Sequence, residues 1–188
     1  MKRIGSATLY NTYGHRGLQH GSAFCWLYKA WAEGDAEKGI VALPDNARVI
    51  EVGNGGCHSL GFLCDVAKPG WTIYACDPYA EGDRFKEFMQ TCLSHLGDVC
   101  SRIQFIRFPS PRVASLFDDG SLDAVLIDAV HEYDECTADI NAWWPKLKSG
   151  GYLAGDDCDP MWPGCELAWG TAFPEMVFYG STACVRKP

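Results

Sequence analysis

Strand-like and helix-like segments alternate along the chain between residues 47 and 155, which predicts an α/β fold with a Rossmann-like, doubly wound and mostly parallel sheet. An apolar run at residues 49–52 leads directly into a glycine-rich turn at residues 53–56, and a helix-compatible segment follows. Near the end of the chain, two short strand-like segments are joined by Gly180-Ser181, which predicts an antiparallel strand pair at one edge of the sheet.

The chain of 188 residues is long enough for one domain with a substantial core. We expect two parts within it: an N-terminal helical segment at residues 1–46 and a cofactor-binding domain at residues 47–188. Apolar residues three and four positions apart predict a helix over residues 22–31. Two interpretations of this helix stay open, packing on the sheet or forming a lid over the site.

The other elements follow from local sequence patterns. Strands are predicted over residues 47–52, 72–76, 103–107, 122–127, 152–155, 176–179 and 183–186. Helices are predicted over residues 57–67, 83–96, 111–117, 133–147 and 166–173. Pro145 is expected to kink the fourth of these helices or to mark its last turn, and Ser149-Gly150-Gly151 is expected to end it.

Composition narrows the class of protein. The net charge is -8, from 16 Lys and Arg against 24 Asp and Glu, which disfavours a nucleic-acid backbone as partner. The 10 cysteines include no Cys-x-x-Cys pair, so we expect reduced, mostly buried thiols rather than a zinc cluster. No signal peptide and no membrane span is evident, which predicts a cytoplasmic protein without a membrane partner. Assembly into a homo-oligomer is left open.

The glycine-rich turn predicts a site for a nucleotide-type cofactor. Backbone N–H groups and a helix N-terminus can approach a ligand closely at Gly53, Asn54 and Gly55, because glycine carries no Cβ. Asp77 follows the second strand, where a carboxylate holds ribose hydroxyls in α/β nucleotide sites.

Three further carboxylates follow the fourth and fifth strands: Asp128, Asp156 and Asp157. The fold brings the carboxyl ends of these strands to one edge of the sheet, where carboxylates repel one another and raise each other's pKa. A divalent cation relieves that repulsion, and oxygen ligands suit Mg²⁺. The alternatives are that Asp156 and Asp157 cap a turn, or that the carboxylates act without a metal.

His131 lies three residues after Asp128, close to the predicted metal, which favours a role as general base. The alternative is a solvated or capping histidine. Ser110 follows the third strand and is expected at the same rim of the sheet.

The residues Glu51-Val-Gly-Asn-Gly-Gly56, with Asp77 after the second strand, resemble the cofactor signature of class I S-adenosylmethionine-dependent methyltransferases. The later segments Asp119 to Tyr133, Asp139 to Trp143 and Pro145 to Asp157 resemble the small-molecule O-methyltransferases of the macrocin and catechol or caffeoyl-CoA type. The similarity covers about residues 47–157.

The resemblance implies S-adenosylmethionine as methyl donor and a small hydroxylated molecule as acceptor. It implies cofactor contacts at Glu51, Gly53, Asn54, Gly55, Asp77, Ser110, Asp128 and Ala129. It also implies that Asp128, Asp156 and Asp157 hold a divalent metal, Mg²⁺ being the expected ion. Catechol-type enzymes place a lysine base three residues after the first metal aspartate, and this chain has His131 there.

Three other functions remain open at this stage. One keeps the methyltransferase fold but needs no metal, and another is a cofactor-binding protein without catalytic activity. The third is a nicotinamide-dependent oxidoreductase, which would leave the Asp128, Asp156 and Asp157 set without a role.

Overall fold

The computed structural model describes residues 23–55, 57–78, 90, 94 and 96–188. Residues 1–22 and most of the helix predicted over residues 83–96 lie outside this part of the chain.

The described residues form one sheet of seven strands in the order β3-β2-β1-β4-β5-β7-β6. The first five strands are parallel, and β7 runs antiparallel to both β5 and β6. This arrangement confirms the predicted fold class. The strands are β1 (Arg48–Val52), β2 (Thr72–Cys76), β3 (Ile103–Ile106), β4 (Leu122–Ile127), β5 (Leu147–Gly155), β6 (Val177–Tyr179) and β7 (Thr182–Arg186).

Helices cover both faces of the sheet, so the core has two halves. Buried side chains of α1 and α2 form one half, and those of α3, α4 and α5 form the other. Successive residues of a central strand point into opposite halves, as Val49 and Ile50 of β1 do. The helices are α1 (Ala23–Glu33), α2 (His58–Val66), α3 (Ser110–Ala114), α4 (Tyr133–Trp143) and α5 (Pro163–Ala172), with 3-10 turns at Gly97–Arg102 and Trp144–Lys146.

Helix α1 is part of the core. Its side chains Leu27, Tyr28 and Trp31 are fully buried, and the helix contacts α2 as well as β6 and β7. The described portion of the N-terminal segment therefore packs on the sheet. The alternative, a lid formed by the N-terminal segment at residues 1–46, stays a prediction, because residues 1–22 of that segment lie outside the described part of the chain.

Strand β5 is longer than the sequence predicts. It begins at Leu147 rather than at residue 152, and the preceding helix ends at Trp143, ahead of Pro145. The residues Ser149-Gly150-Gly151, predicted to end the helix, instead form an irregularity within β5, where its register with β4 shifts. Gly150 has φ +79°, a conformation that glycine adopts easily both in turns and in strand irregularities, and the sequence does not distinguish the two.

Eight described cysteines carry thiols, as predicted, but Cys57 is disulfide-bonded. The expectation of thiols throughout is therefore wrong at this position, because cysteine spacing alone does not reveal which side chains the fold brings together. Within the described residues, none of the helices has the length and apolar character that crossing a membrane requires.

Gly155 provides a test of the packing between the sheet and α5. A Cβ at this position would overlap the Trp169 indole, so Gly155→Ala is expected to destabilise the fold by about 1–3 kcal/mol in urea unfolding. The matched control is Gly170→Ala within α5, where a Cβ meets open space and a better helix former is expected to stabilise by about 0.5–1 kcal/mol. Equal stabilities of the two variants would contradict this packing.

Candidate active site

A cavity of about 490 Å³ lies beyond the carboxyl ends of β1, β2 and β4. Its size suits a small organic ligand or cofactor. Most of the predicted cofactor contacts lie in its wall, whereas Glu51 and Asn54 do not. The lining residues are Val52, Gly53, Gly55, Cys76, Asp77, Pro78, Pro109, Ser110, Pro111, Asp128, Ala129, Val130, Glu135, Ala138 and Asp139.

Gly53 lets the turn after β1 touch the end of β4. Its φ is +82°, and a Cβ there would overlap the carbonyl oxygen of Asp128. The amide of Asp128 donates to the carbonyl oxygen of Val52 at 2.8 Å, and that of Gly53 donates to Cys76 at 2.7 Å. Glycine is therefore required at this position, both for its backbone conformation and for the space.

Asp77 holds the same turn from the end of β2. Its Oδ2 accepts hydrogen bonds from the amides of Asn54 at 3.0 Å and of Gly55 at 3.4 Å. The carboxylate also lines the cavity. This is the position that the sequence analysis gave to the ribose carboxylate.

Glu51 is fully buried and lies next to the glycine turn, on the side away from the cavity. Its carboxyl accepts hydrogen bonds from Tyr28 Oη and Ser59 Oγ, each at 2.5 Å, and from Asn54 Nδ2 at 3.4 Å. Burial raises the pKa of Glu51 to about 7, although these hydrogen bonds act in the opposite direction. Glu51 thus ties α1, α2 and the glycine turn together rather than facing the cavity.

Ser110 lies at the start of α3 and joins two residues of α4. Its hydroxyl donates to Asp139 Oδ1 at 2.5 Å and accepts from Trp143 Nε1 at 2.8 Å. The sequence analysis placed Ser110 at this rim but missed Glu135 and Asp139 as cavity residues. The sequence contained one signal for Asp139 as a cavity residue: an acidic side chain lies on the same helix face as the apolar residues Cys136 and Ile140.

Asp128, His131 and Asp157 form a cluster whose candidate ligand atoms lie within 4.8 Å of one another. His131 Nε2 is 2.8 Å from Asp157 Oδ2 and 4.0 Å from Asp128 Oδ1. This nitrogen is buried, and the 2.8 Å contact lacks the alignment of a hydrogen bond. The two carboxylates are thus close enough to hold one cation between them, with the imidazole beside it.

Asp156 lies beside this cluster but points partly away from it. Its Oδ1 accepts hydrogen bonds from Thr182 Oγ1 at 2.7 Å, at the start of β7, and from Ser181 Oγ at 3.1 Å, in the turn before it. Its Oδ2 has no hydrogen-bond donor among the described residues. Asp157 has φ +54°, a strained conformation for a residue with a side chain, which turns its carboxylate toward His131.

The cluster is electrostatically unfavourable without a cation. Burial, followed by the charges of Asp156, Glu51 and Asp157, raises the pKa of Asp128 to about 8. Burial and the charge of Asp156 also raise the pKa of Asp157, while His131 acts to lower it. A divalent cation at this point would favour the charged form of both carboxyls.

The His131 ring stacks on the Trp162 indole, with the ring centroids 4.2 Å apart. The backbone at residues 131–133 also packs closely on Gly164 at the start of α5, where a Cβ would overlap the His131 carbonyl oxygen. These two contacts orient the imidazole from the side of α5.

The cavity wall is acidic. It contains Asp77, Asp128, Glu135 and Asp139, and the described lining residues include no Lys, Arg or His. Such a wall favours a positively charged ligand. It disfavours the pyrophosphate of a nicotinamide dinucleotide, so the electrostatics argue against the oxidoreductase alternative.

The glycine turn between β1 and α2, the acidic residue after β2 and the order of the strands define a class I S-adenosylmethionine-dependent methyltransferase fold, which confirms the resemblance noted from the sequence. A family profile described as "Methyltransferase domain" matches residues 50–158, and the chain belongs to this family. A comparison with curated proteins gave no match.

Solved structures share the fold at low sequence identity. A Corynebacterium glutamicum protein has a TM-score of 0.59 at 14% identity, over 87% of this chain and 80% of that one. CalS11, a TDP-rhamnose 3'-O-methyltransferase of calicheamicin biosynthesis, has a TM-score of 0.57 at 19% identity, over 74% and 71% of the two chains. The MycE methyltransferase of the mycinamycin pathway, in complex with Mg, SAH and mycinamycin VI, has a TM-score of 0.54 at 19% identity, over 76% and 45%.

Asp128 makes the stability of the protein depend on pH. The pKa of the Asp128 carboxyl in the folded protein is about 8, above the ordinary value of 3.8. The protonated carboxyl therefore contributes to the free energy of unfolding in full below pH 3.8, and this contribution is lost as the pH rises through about 8. In the presence of a chelator, we expect the melting temperature of wild type, relative to that of Asp128→Asn, to fall between about pH 4 and 8 and to stay level above that. Because binding needs the ionised carboxyl, stabilisation of wild type by Mg²⁺ is expected to grow over the same interval.

The Asp128→Asn variant serves as the control for this experiment, since its side chain does not titrate. A constant difference in melting temperature across the interval would contradict the raised pKa.

Proposed function

We propose that this protein transfers a methyl group from S-adenosylmethionine to a hydroxyl group of a small molecule, with the help of a divalent cation, Mg²⁺ being the expected ion. The observation that carries the proposal is the cluster of Asp128, His131 and Asp157 at the edge of the acidic cavity.

The glycine turn and the cavity provide the place for the methyl donor. Gly53 and Gly55 give close access to the backbone, and Asp77 is available at the end of β2 for the ribose hydroxyls. The donor supplies a methyl group that its sulfonium charge already activates. The acidic wall suits that charge, and this supports the assignment over a dinucleotide cofactor.

The cation would be held by carboxylate oxygens of Asp128 and Asp157. Asp156, the third ligand predicted from the sequence, lies outside this group of ligand atoms and has Oδ1 engaged by Ser181 and Thr182. Mg²⁺ prefers oxygen ligands, which leaves the His131 imidazole for proton transfer rather than for coordination. When bound, the cation lowers the pKa of an acceptor hydroxyl and fixes its direction.

His131 acts as the general base in this proposal. Its Nε2 lies in the cluster without an aligned hydrogen bond, so it can take the proton of an acceptor hydroxyl. Asp157, at 2.8 Å, stabilises the imidazolium that results. Stacking on Trp162 holds the ring in place, and correct positioning supplies much of the rate in such a transfer.

The names of the structural neighbours support the proposal without deciding it. CalS11 is an O-methyltransferase, and MycE is described with Mg and a small-molecule ligand. At 19% identity each of them shows the fold alone. The proposal of a hydroxyl acceptor and a metal therefore rests on the cluster of Asp128, His131 and Asp157. The absence of nucleic-acid partners and the state of assembly stay predictions.

Calorimetric titration with S-adenosylhomocysteine tests the cofactor assignment. Wild type is expected to bind it, and Asp77→Ala is expected to weaken binding by roughly 10-fold or more, since a charged hydrogen-bond partner is lost. The matched control is Asp119→Ala, a surface carboxylate paired with Lys146, which is expected to leave the affinity unchanged. Failure of wild type to bind would overturn the proposed function, and unchanged affinity in Asp77→Ala would remove Asp77 from the site.

The metal and the base are tested by methyl transfer from labelled S-adenosylmethionine to a panel of small hydroxylated compounds, with Mg²⁺ or with chelator. Asp157→Asn is expected to lower turnover at least about 10²-fold and to reduce stabilisation by Mg²⁺. His131→Gln is expected to lower turnover about 10²-fold or more, while Mg²⁺ still stabilises the protein. Full activity in chelator would favour the metal-independent alternative.

A further inference from the structure

The carboxylate of Asp139 lies in the cavity wall, and one of its two oxygens has no hydrogen-bond donor among the described residues. The residue is 4% exposed, and it lines the cavity on the inner face of α4 together with Glu135 and Ala138. Its Oδ1 accepts from Ser110 Oγ, whereas Oδ2 has no donor among the described residues. Oδ2 is accessible from the cavity and is not sealed in the protein interior, so a ligand bound in the cavity can supply a donor to it.

The direction of the hydrogen bonds around Asp139 is fixed. An indole N–H can only donate, so Trp143 Nε1 donates to Ser110 Oγ. The Ser110 hydroxyl then places its own hydrogen on Asp139 Oδ1. Asp139 therefore presents Oδ2 to the cavity as an acceptor, and burial raises the pKa of its carboxyl although the Ser110 hydrogen bond acts in the opposite direction.

The surroundings suit a flat apolar ring. Three prolines and two small apolar residues supply much of the wall on this side of the cavity, and they lie after β2, after β3, after β4 and on α4. These residues are Pro78, Pro109, Pro111, Ala129 and Ala138. Asp77, expected to hold the ribose, lies in the same wall. A ring that carries a hydrogen-bond donor would satisfy both the apolar wall and Oδ2.

We infer that Asp139 accepts a hydrogen bond from the 6-amino group of the cofactor's adenine ring, which makes it the residue that selects this base. Ser110 is then a positioning residue, which holds Asp139 through Oδ1. The inference rests on the proposed S-adenosylmethionine cofactor. It assigns the contact with the adenine amino group to an α4 carboxylate rather than to the Ser110 hydroxyl, whose hydrogen is donated to Asp139 and whose oxygen already accepts from Trp143.

The test compares the affinities of S-adenosylhomocysteine and of its 6-deamino analogue, in which hydrogen replaces the amino group, by calorimetry. Wild type is expected to bind the amino compound roughly 10- to 100-fold more tightly, the range for a hydrogen bond to a charged group. Equal affinities would overturn the inference while leaving the proposed cofactor intact. No binding of either compound would overturn both the inference and the proposed function.

Asp139→Asn sharpens the test, because Ser110 fixes the orientation of the new amide. The amide oxygen must accept from Ser110, so the NH₂ group faces the cavity as a donor. We expect the preference for the amino compound to disappear and S-inosylhomocysteine, with an acceptor oxygen at position 6, to bind more tightly than S-adenosylhomocysteine. Retention of the wild-type preference would overturn the inference.

Asp123→Asn is the matched control. It makes the same chemical change at a buried carboxylate that Lys148 and the amide of Arg48 satisfy and that does not line the cavity. Its base preference is expected to equal that of wild type, and thermal unfolding checks that both variants are folded. If Asp139→Asn fails to fold, Ser110→Ala replaces it. Loss of the positioning hydroxyl is expected to reduce the amino preference several-fold, and an unchanged preference would count against the inference.

Discussion

The contact between the ends of β1 and β4 is the constraint on which the site depends. Val52 and Asp128 are joined by a backbone hydrogen bond, and only a glycine at position 53 leaves room for the Asp128 carbonyl oxygen. The glycine turn and Asp128, the first carboxylate of the Asp128, His131 and Asp157 cluster, therefore lie side by side through backbone contacts alone. A transfer reaction depends on how precisely donor and acceptor are placed, and backbone contacts between neighbouring strands place them more rigidly than flexible side chains could.

The buried carboxyl of Glu51 extends this constraint into the rest of the fold. It accepts hydrogen bonds from Tyr28 of α1 and Ser59 of α2, so two helices on one face of the sheet are joined directly beneath the glycine turn. Its charge also raises the pKa of Asp128. The support of the glycine turn and the electrostatics of the Asp128, His131 and Asp157 cluster are thus coupled through the Glu51 side chain. A change in the packing of α1 would therefore alter both the position of the glycine turn and the pKa of Asp128.

The sequence analysis located elements well where local pattern decides the structure, and less well where distant contacts do. Strand β4 has the predicted bounds, because a continuous buried apolar run between turn residues has few alternatives. The same reasoning placed Asp128, Asp156 and Asp157 at one edge of the sheet. It could not foresee that Thr182, far along the chain, would engage one oxygen of Asp156. It also missed Asp139, because a helical pattern indicates which face is buried but not that a cavity lies against that face.

The acidity of the cavity links the binding of the donor to the reaction. Placing Asp128 and Asp139 in a wall with little water costs free energy, and the raised pKa of each carboxyl reflects that cost. Under the proposed function, the ligand carries a positive sulfonium and an amino donor, which offset this free-energy cost. An anionic cofactor would increase the cost. Methyl transfer converts the sulfonium into a neutral thioether. The wall therefore attracts the donor more strongly than the product that remains, so the electrostatics that favour loading of the site also favour release after the reaction.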